Sequence, residues 1–417
     1  MYSLAPFPSS KFHFFSFRFP FTSSPSPSPS RVVCHGGSDL QYVPCDLKLV
    51  LHDTLDSSGI DTTHAREARK EFCSQIQRFC CIERQTSISI NRCVDLGRTA
   101  LCIGAEDDSL VSHSSVPLPV DAFIERLDDL SMDYCPHYSP SLDSSPENFL
   151  ESLERYLYGH KGFRRTSANQ MESQALYLHS VLTHRSGTVA MLALIYSEIL
   201  KMLRLWGLVN FDAEIFFPHD FHGLPRGYHK QKSKESDQAH VMTSENLLYE
   251  ILNNLKHSFW PFQHDHTKSL FLRAAHAANC VDRSDFIGES GSQLASAKAA
   301  QHRLDRGVWT SVRLGDMRRS LAACERLLLL KSDANELRDY GTLLYHCGLY
   351  NQALEYLKLY KDLKSSSMQT QSSNSLSSIE EDAVDKLITR LNLILMEQGW
   401  SRPSYVRNFF NNNSEPW

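Results

Sequence analysis

The chain has 417 residues, 41% of them hydrophobic and 22% charged, which suffices for more than one buried core. A formal net charge of -5 excludes a global attraction to nucleic acid or to an anionic membrane surface. No apolar run reaches the ~18 residues that a membrane span requires; the longest, Val189–Tyr196, continues into Ser197 and Glu198.

From Met1 to Ser38 there is no Asp or Glu, whereas Ser, Pro, aromatic residues and scattered bases (Lys11, Arg18, Arg31) abound. That composition predicts a disordered organelle transit peptide over residues 1–38, directing the chain to the chloroplast stroma, with cleavage near Arg31–Cys34. Residues 39–93 form an extension with helix signals around Ala65–Cys81. Leu96, Ala100, Leu101 and Ile103 predict a short helix ending at Gly104, then a polar loop over Asp107–Ser115. Asp121 opens an amphipathic helix carrying Phe123, Ile124, Leu127 and Leu130 on one face. A Pro/Ser-rich turn follows over Pro136–Pro146, and a helix over Glu147–Tyr158.

Arg185-Ser186-Gly187-Thr188 reads as a turn before the most apolar helix of the chain, with Val189, Leu192, Ile195, Tyr196, Ile199, Leu200 and Leu203 in one stripe. Alternation over Phe211–Phe217 predicts a short strand, and the basic stretch Gly223–Asp237 a solvated loop. Further on, Gly315, Ser320, Leu321 and Cys324 recur 33 residues later as Gly348, Ala353, Leu354 and Leu357. A period near ~34 fits tetratricopeptide helix pairs. Ser365–Ser378 reads as a linker, and Ile379–Met396 as a helix capping the repeat.

Five blocks line up in order with one family: Asp95-Leu96-Gly97-Arg98 through Ala105-Glu106-Asp107; Arg185 through Tyr196; Phe216-Phe217-Pro218; Asn253-Asn254-Leu255-Lys256; and Leu337-Arg338-Asp339-Tyr340-Gly341. Together they resemble the SirB-type proteins, a transglutaminase-like domain followed by tetratricopeptide-like repeats. The resemblance implies a mainly α (α+β) fold: a transglutaminase-like domain with a few short strands over 94–262, helical hairpins over 263–362, a linker at 363–378, a capping helix at 379–399 and a tail at 400–417.

Transglutaminase chemistry needs a Cys at a helix N-terminus, where the dipole lowers the thiol pKa, and an oriented His to move the proton. Here the helix begins Thr188-Val189-Ala190, and Thr188 reads as a cap rather than a nucleophile. The pattern Phe-Pro-Gly-His that the family places after the strand is replaced by Phe217-Pro218-His219-Asp220. Asp220 fills the His position, His219 comes one residue early and His222 two late, and a one-residue shift on a strand reverses the face. Thr188, His219, Asp220 and His222 are thus weak catalytic candidates, and the resemblance implies a fold without its activity.

The histidines at 219, 222, 229, 240, 264 and 266 form no convincing metal set, and no Gly-rich phosphate loop or G-x-S-x-G elbow is present, so neither metal nor cofactor is expected. Trp260, Phe262 and Phe271 suit a domain junction better than a cofactor site. The 11 cysteines are irregularly spaced and read as reduced, mostly buried thiols. The expected function is that of a non-catalytic scaffold binding a protein or peptide segment in the repeat groove, lined by Arg313, Arg319, Arg338 and Tyr345. The rival readings are an acyl-transfer or hydrolytic enzyme with a relocated nucleophile, and a metal-binding regulator.

Overall fold

The computed structural model describes residues 49–57, 59–80, 95–112, 116–138, 145–166, 173–218, 223–229, 243–262, 269–278, 280, 316–331, 333–367 and 375–399. Every described residue lies in one compact unit, Val43–Trp417. The segments read as transit peptide and tail fall outside the described residues, as does Arg313.

The fold is mainly helical, as the apolar periodicities predict, with four short strands among the described residues. In chain order the elements are α1 (Val50–Ser57), α2 (Thr63–Cys80), α3 (Leu96–Ser112), α4 (Val120–Tyr138), α5 (Pro146–Glu154), β1 (Arg164–Arg165), α6 (Leu178–His184), β2 (Ser186–Gly187) and α7 (Val189–Leu205). They continue with β3 (Ala213–Phe216), β4 (Arg226–His229), α8 (Ser244–Phe259), α9 (Leu270–Ala277), α10 (Met317–Leu330), α11 (Ala334–His346), α12 (Tyr350–Ser367) and α13 (Ser375–Gly399). None of the described helices is long and apolar enough to cross a membrane.

Local chemistry fixes many helix starts. Ser145, Thr188, Thr243, Ser269, Asp316 and Asp333 each sit at an N-cap, their side-chain oxygens accepting first-turn N–H groups, and Pro146 occupies a first-turn position where no donor is lost. Gly348, at φ +77°, makes the left-handed turn between α11 and α12. Gly341 lets those two helices approach, because a Cβ there would stand 3.0 Å from Leu357 Cγ.

Two apolar cores result. The first gathers α3 to α8 around α7, whose residues from Val189 to Leu200 are all buried. The second gathers α1, α9, α11, α12 and α13, with Trp260, Phe262 and Phe271 fully inside it. These aromatics are therefore packing residues at the meeting of α8 and α9. Helix α10 serves both cores: Ala323, Leu327 and Leu330 enter the first, and Leu321, Cys324 and Leu328 the second.

Several expected boundaries are corrected. The polar stretch from Asp107 is not a loop; α3 runs through it to Ser112, because Glu106 and Asp107 find ionic partners inside the protein. Helix α4 continues past Pro136 to Tyr138. The helix expected at 147–158 is α5 followed by a π-helical turn, Arg155–His160. The basic stretch contains a strand, β4, which pairs antiparallel with β3, Phe216 opposite Arg226 and Ala213 opposite His229. Of the serine-rich linker, residues 365–367 belong to α12 and residues from Ser375 onward to α13.

Candidate functional site

The start of α7 is where the transglutaminase resemblance would place a catalytic thiolate. It is approached by β2, which pairs in parallel with β1 (Arg164 with Ser186, Arg165 with Gly187). The Thr188 N–H donates to the Ala175 carbonyl at 3.1 Å, and Thr188 Oγ1 accepts from the Met191 N–H at 3.3 Å. The hydroxyl is thus engaged as a helix cap, as the sequence suggests. Val189 is 7% exposed and Ala190 1%, and a Cβ on Gly187 would meet Val181 Cγ1 at 2.8 Å, so the turn is closed by packing. The nearby hydroxyls of Ser186 and Thr166 bond to each other at 3.0 Å. Neither Thr188 nor Ser186 is bonded to an imidazole among the described residues. His219, Asp220 and His222 lie outside them.

The buried cysteines offer no substitute nucleophile. Cys102, Cys280, Cys324 and Cys347 are buried and unbridged. Burial pushes the Cys102 thiol up to about 12 and the Cys324 thiol well above its ordinary value. A thiol in such surroundings is inert near neutral pH.

The concentrated electrostatics lie elsewhere, between α2, α3 and α10. Arg69 grips Glu106 through Nη2 at 2.6 Å and Nε at 2.8 Å, and reaches Glu325 through Nη1 at 2.9 Å. Arg326 holds Glu106 at 3.0 Å and Asp107 at 2.5 Å. Tyr177 donates its hydroxyl to Asp107 at 2.7 Å, and Tyr340 to Glu325 at 2.8 Å. His52 stands 3.2 Å from Glu106. These two guanidiniums and three carboxylates are at most 1% exposed. Burial alone would raise the Glu106 carboxyl, but Arg326 and Arg69 outweigh it and hold Glu106 well below the usual carboxylate range.

A second buried network joins α8 to α11. Lys256 Nζ lies 2.7 Å from both Glu336 and Asp339, and Arg338 pairs with Asp339 at 3.1 Å. Burial disfavours the Lys256 cation, yet Asp339 and Glu336 overturn that and raise its pKa. Three of the five blocks that carry the resemblance thus supply Glu106, Asp107, Lys256, Arg338 and Asp339 to these two networks.

Of the expected groove residues, Arg338 is buried beneath α13. It is 5% exposed, lies over the Phe271 ring at 4.5 Å, and pairs with Glu380 of α13 at 2.6 Å. Tyr345 is half-buried, with the Arg390 guanidinium of α13 5.9 Å from its ring. Arg319 is wedged over the rings of Phe259 (4.6 Å) and Tyr177 (5.7 Å), and lines a cavity of about 160 Å³ with Gly104, Asp108 and His179.

A larger cavity of about 460 Å³ opens between α5 and β4, lined by Glu147, Glu151, Glu154, Phe216, Arg226 and His229. Burial lifts the Glu154 carboxyl to about 7, against the opposing pull of the Gly227 N–H, which donates to it at 3.2 Å, and of Arg226. No reading of the sequence anticipated this cavity, because half its wall is the strand hidden in the basic stretch. Among the described residues no three His, Cys, Asp or Glu side chains converge as a metal set.

The described residues therefore define a mainly helical protein whose would-be nucleophilic helix start is capped by threonine. Residues 121–211, from α4 through α7, match the transglutaminase-like superfamily, so the chain carries a transglutaminase-like domain there. That match stops before β3 and includes neither α3 nor any helix from α8 onward. No curated protein and no solved structure shows significant similarity to the chain.

Proposed function

We propose that this chain is a non-catalytic plastid scaffold, in which a SirB-type transglutaminase-like domain serves as a rigid frame for tetratricopeptide-like helices that bind a protein or peptide segment. The observation that carries this reading is the start of α7: Thr188 caps the helix, and Val189 and Ala190 beside it are buried apolar groups. The acidless composition of residues 1–38 supports plastid import. The two buried ion networks support the rigid frame, since each ties distant helices into one body.

Thr188→Ala discriminates a cap from a nucleophile. As a cap, Thr188 contributes ~1 kcal/mol, so urea titration should show a loss of about 0.5–2 kcal/mol. The same stromal proteins should be retained by the immobilised full chain with either residue at position 188. A Thr188→Ala chain that keeps its stability but traps substrate or loses turnover would overturn the proposal.

A further inference from the structure

Helix α13 lies against α9, α11 and α12, and its contacts repeat one pattern. Ala383, Val384, Leu387 and Leu391 form a single buried stripe. Carboxylates flank that stripe. Glu380 accepts from Arg338 Nη1 and from the Ser269 hydroxyl, each at 2.6 Å. Glu381 pairs with Lys364, and Asp385 with Lys361, each at 2.6 Å. Further along, Arg390 donates to the Ala278 carbonyl and stands beside the Tyr345 ring.

The surface beneath α13 therefore has a definite chemistry. Phe271, Tyr345 and Tyr360 supply aromatic area, and Arg338, Lys361 and Lys364 supply positive charge. The attachment is also lighter than that of the helices inside the cores. The Lys361–Asp385 pair is more than half exposed on both sides, where an ion pair contributes little, and the apolar contact is one stripe of four buried side chains. Arg338 and Tyr345, the residues expected to line a binding groove, are among those that α13 touches.

We infer that this face is a recognition groove for an acidic amphipathic helix, and that α13 is its intramolecular occupant, displaced by a partner helix of the same pattern. The partner carries two or three carboxylates beside an apolar i, i+3, i+7 stripe, as Glu380, Glu381 and Asp385 stand beside Val384, Leu387 and Leu391. A tethered occupant competes at high effective concentration, so the full chain binds an external helix weakly until α13 is loosened. This inference rests on the reading of the C-terminal helices as a binding surface, and adds the partner's chemistry and the control of access.

The test uses a fluorescent peptide of residues 375–399 and the full chain in three forms: unaltered, Leu387→Ser, and the double variant Glu381→Lys/Asp385→Lys. Both variants should bind the peptide at least tenfold more tightly than the unaltered chain. A peptide bearing Glu380→Lys, Glu381→Lys and Asp385→Lys should bind the variants at least tenfold less tightly than the native one. Should Leu387→Ser unfold the protein, the double variant decides alone, since its changes fall on exposed or half-exposed side chains. A double variant that melts cooperatively, yet binds the peptide no better than the unaltered chain, overturns the inference. Peptide exchange without any stromal partner would uphold the groove and count against the scaffold. Partner capture without exchange would do the reverse.

Discussion

Arg326→Met is expected to lower the free energy of unfolding by about 3–5 kcal/mol at pH 7, read from urea titration. Removing one member of a fully buried ion network leaves its partners charged and out of water. Arg326 is the cation 2.5 Å from Asp107 and one of two that hold Glu106. Without it, three carboxylates face the single guanidinium of Arg69. The pH dependence has a definite sign. In the unaltered chain Glu106 has a depressed pKa, so its contribution is present above the unfolded carboxylate value of ~4.3 and is lost as pH falls through the lower folded value. In the variant that carboxyl rises, so its deficit relative to the unaltered chain should be largest near neutrality and narrow in acid. An unaltered urea midpoint would mean that the network adds nothing to holding α10 against α2 and α3.

Lys256→Met is expected to cost a similar ~3–5 kcal/mol, by the same physics at the second network. Lys256 is the cation placed 2.7 Å from both Glu336 and Asp339, and Arg338 compensates only Asp339. Burial already lifts the Glu336 carboxyl, with Lys256 opposing that rise, so removing the ammonium lets Glu336 take up a proton more readily. The raised Lys256 pKa puts its own contribution in full below the unfolded lysine value of ~10.4, to be lost only as pH climbs through the folded value. The variant should therefore be weakest relative to the unaltered chain at neutral pH and recover part of the difference in acid. Paired unfolding curves at pH 5 and 7 read this directly.

What was legible in the sequence is what periodicity and capping encode. The start of α7, its buried stripe, the β3 strand and the α11–α12 turn at Gly348 all follow from residue type and spacing. What was not legible is pairing across long separations. Glu106 and Asp107 look like the start of a polar loop until Arg69 and Arg326 are seen around them, and Arg326 lies 220 residues away. Arg338 likewise interrupts an apolar helix, and its pairing with Asp339 and with Glu380 of α13 is not legible from its neighbours. A usable signal was present: Arg326 sits in the run Cys324–Leu330, too apolar for a solvated face, so an internal partner was to be expected. The strand β4 escaped because its residues Arg-Gly-Tyr-His carry no alternating apolar pattern, and its pairing is set by β3.

The frame is held by buried ions, and its helix start offers a cap where acyl transfer demands a thiolate. Intact-mass spectrometry after incubation with a glutamine-containing peptide tests this most directly, since acyl transfer would release ammonia and leave the peptide on the protein as an ester or thioester. The account predicts unchanged protein mass and no ammonia above background. A stoichiometric acyl adduct on any Thr, Ser or Cys of the chain, formed with loss of ammonia, would contradict it.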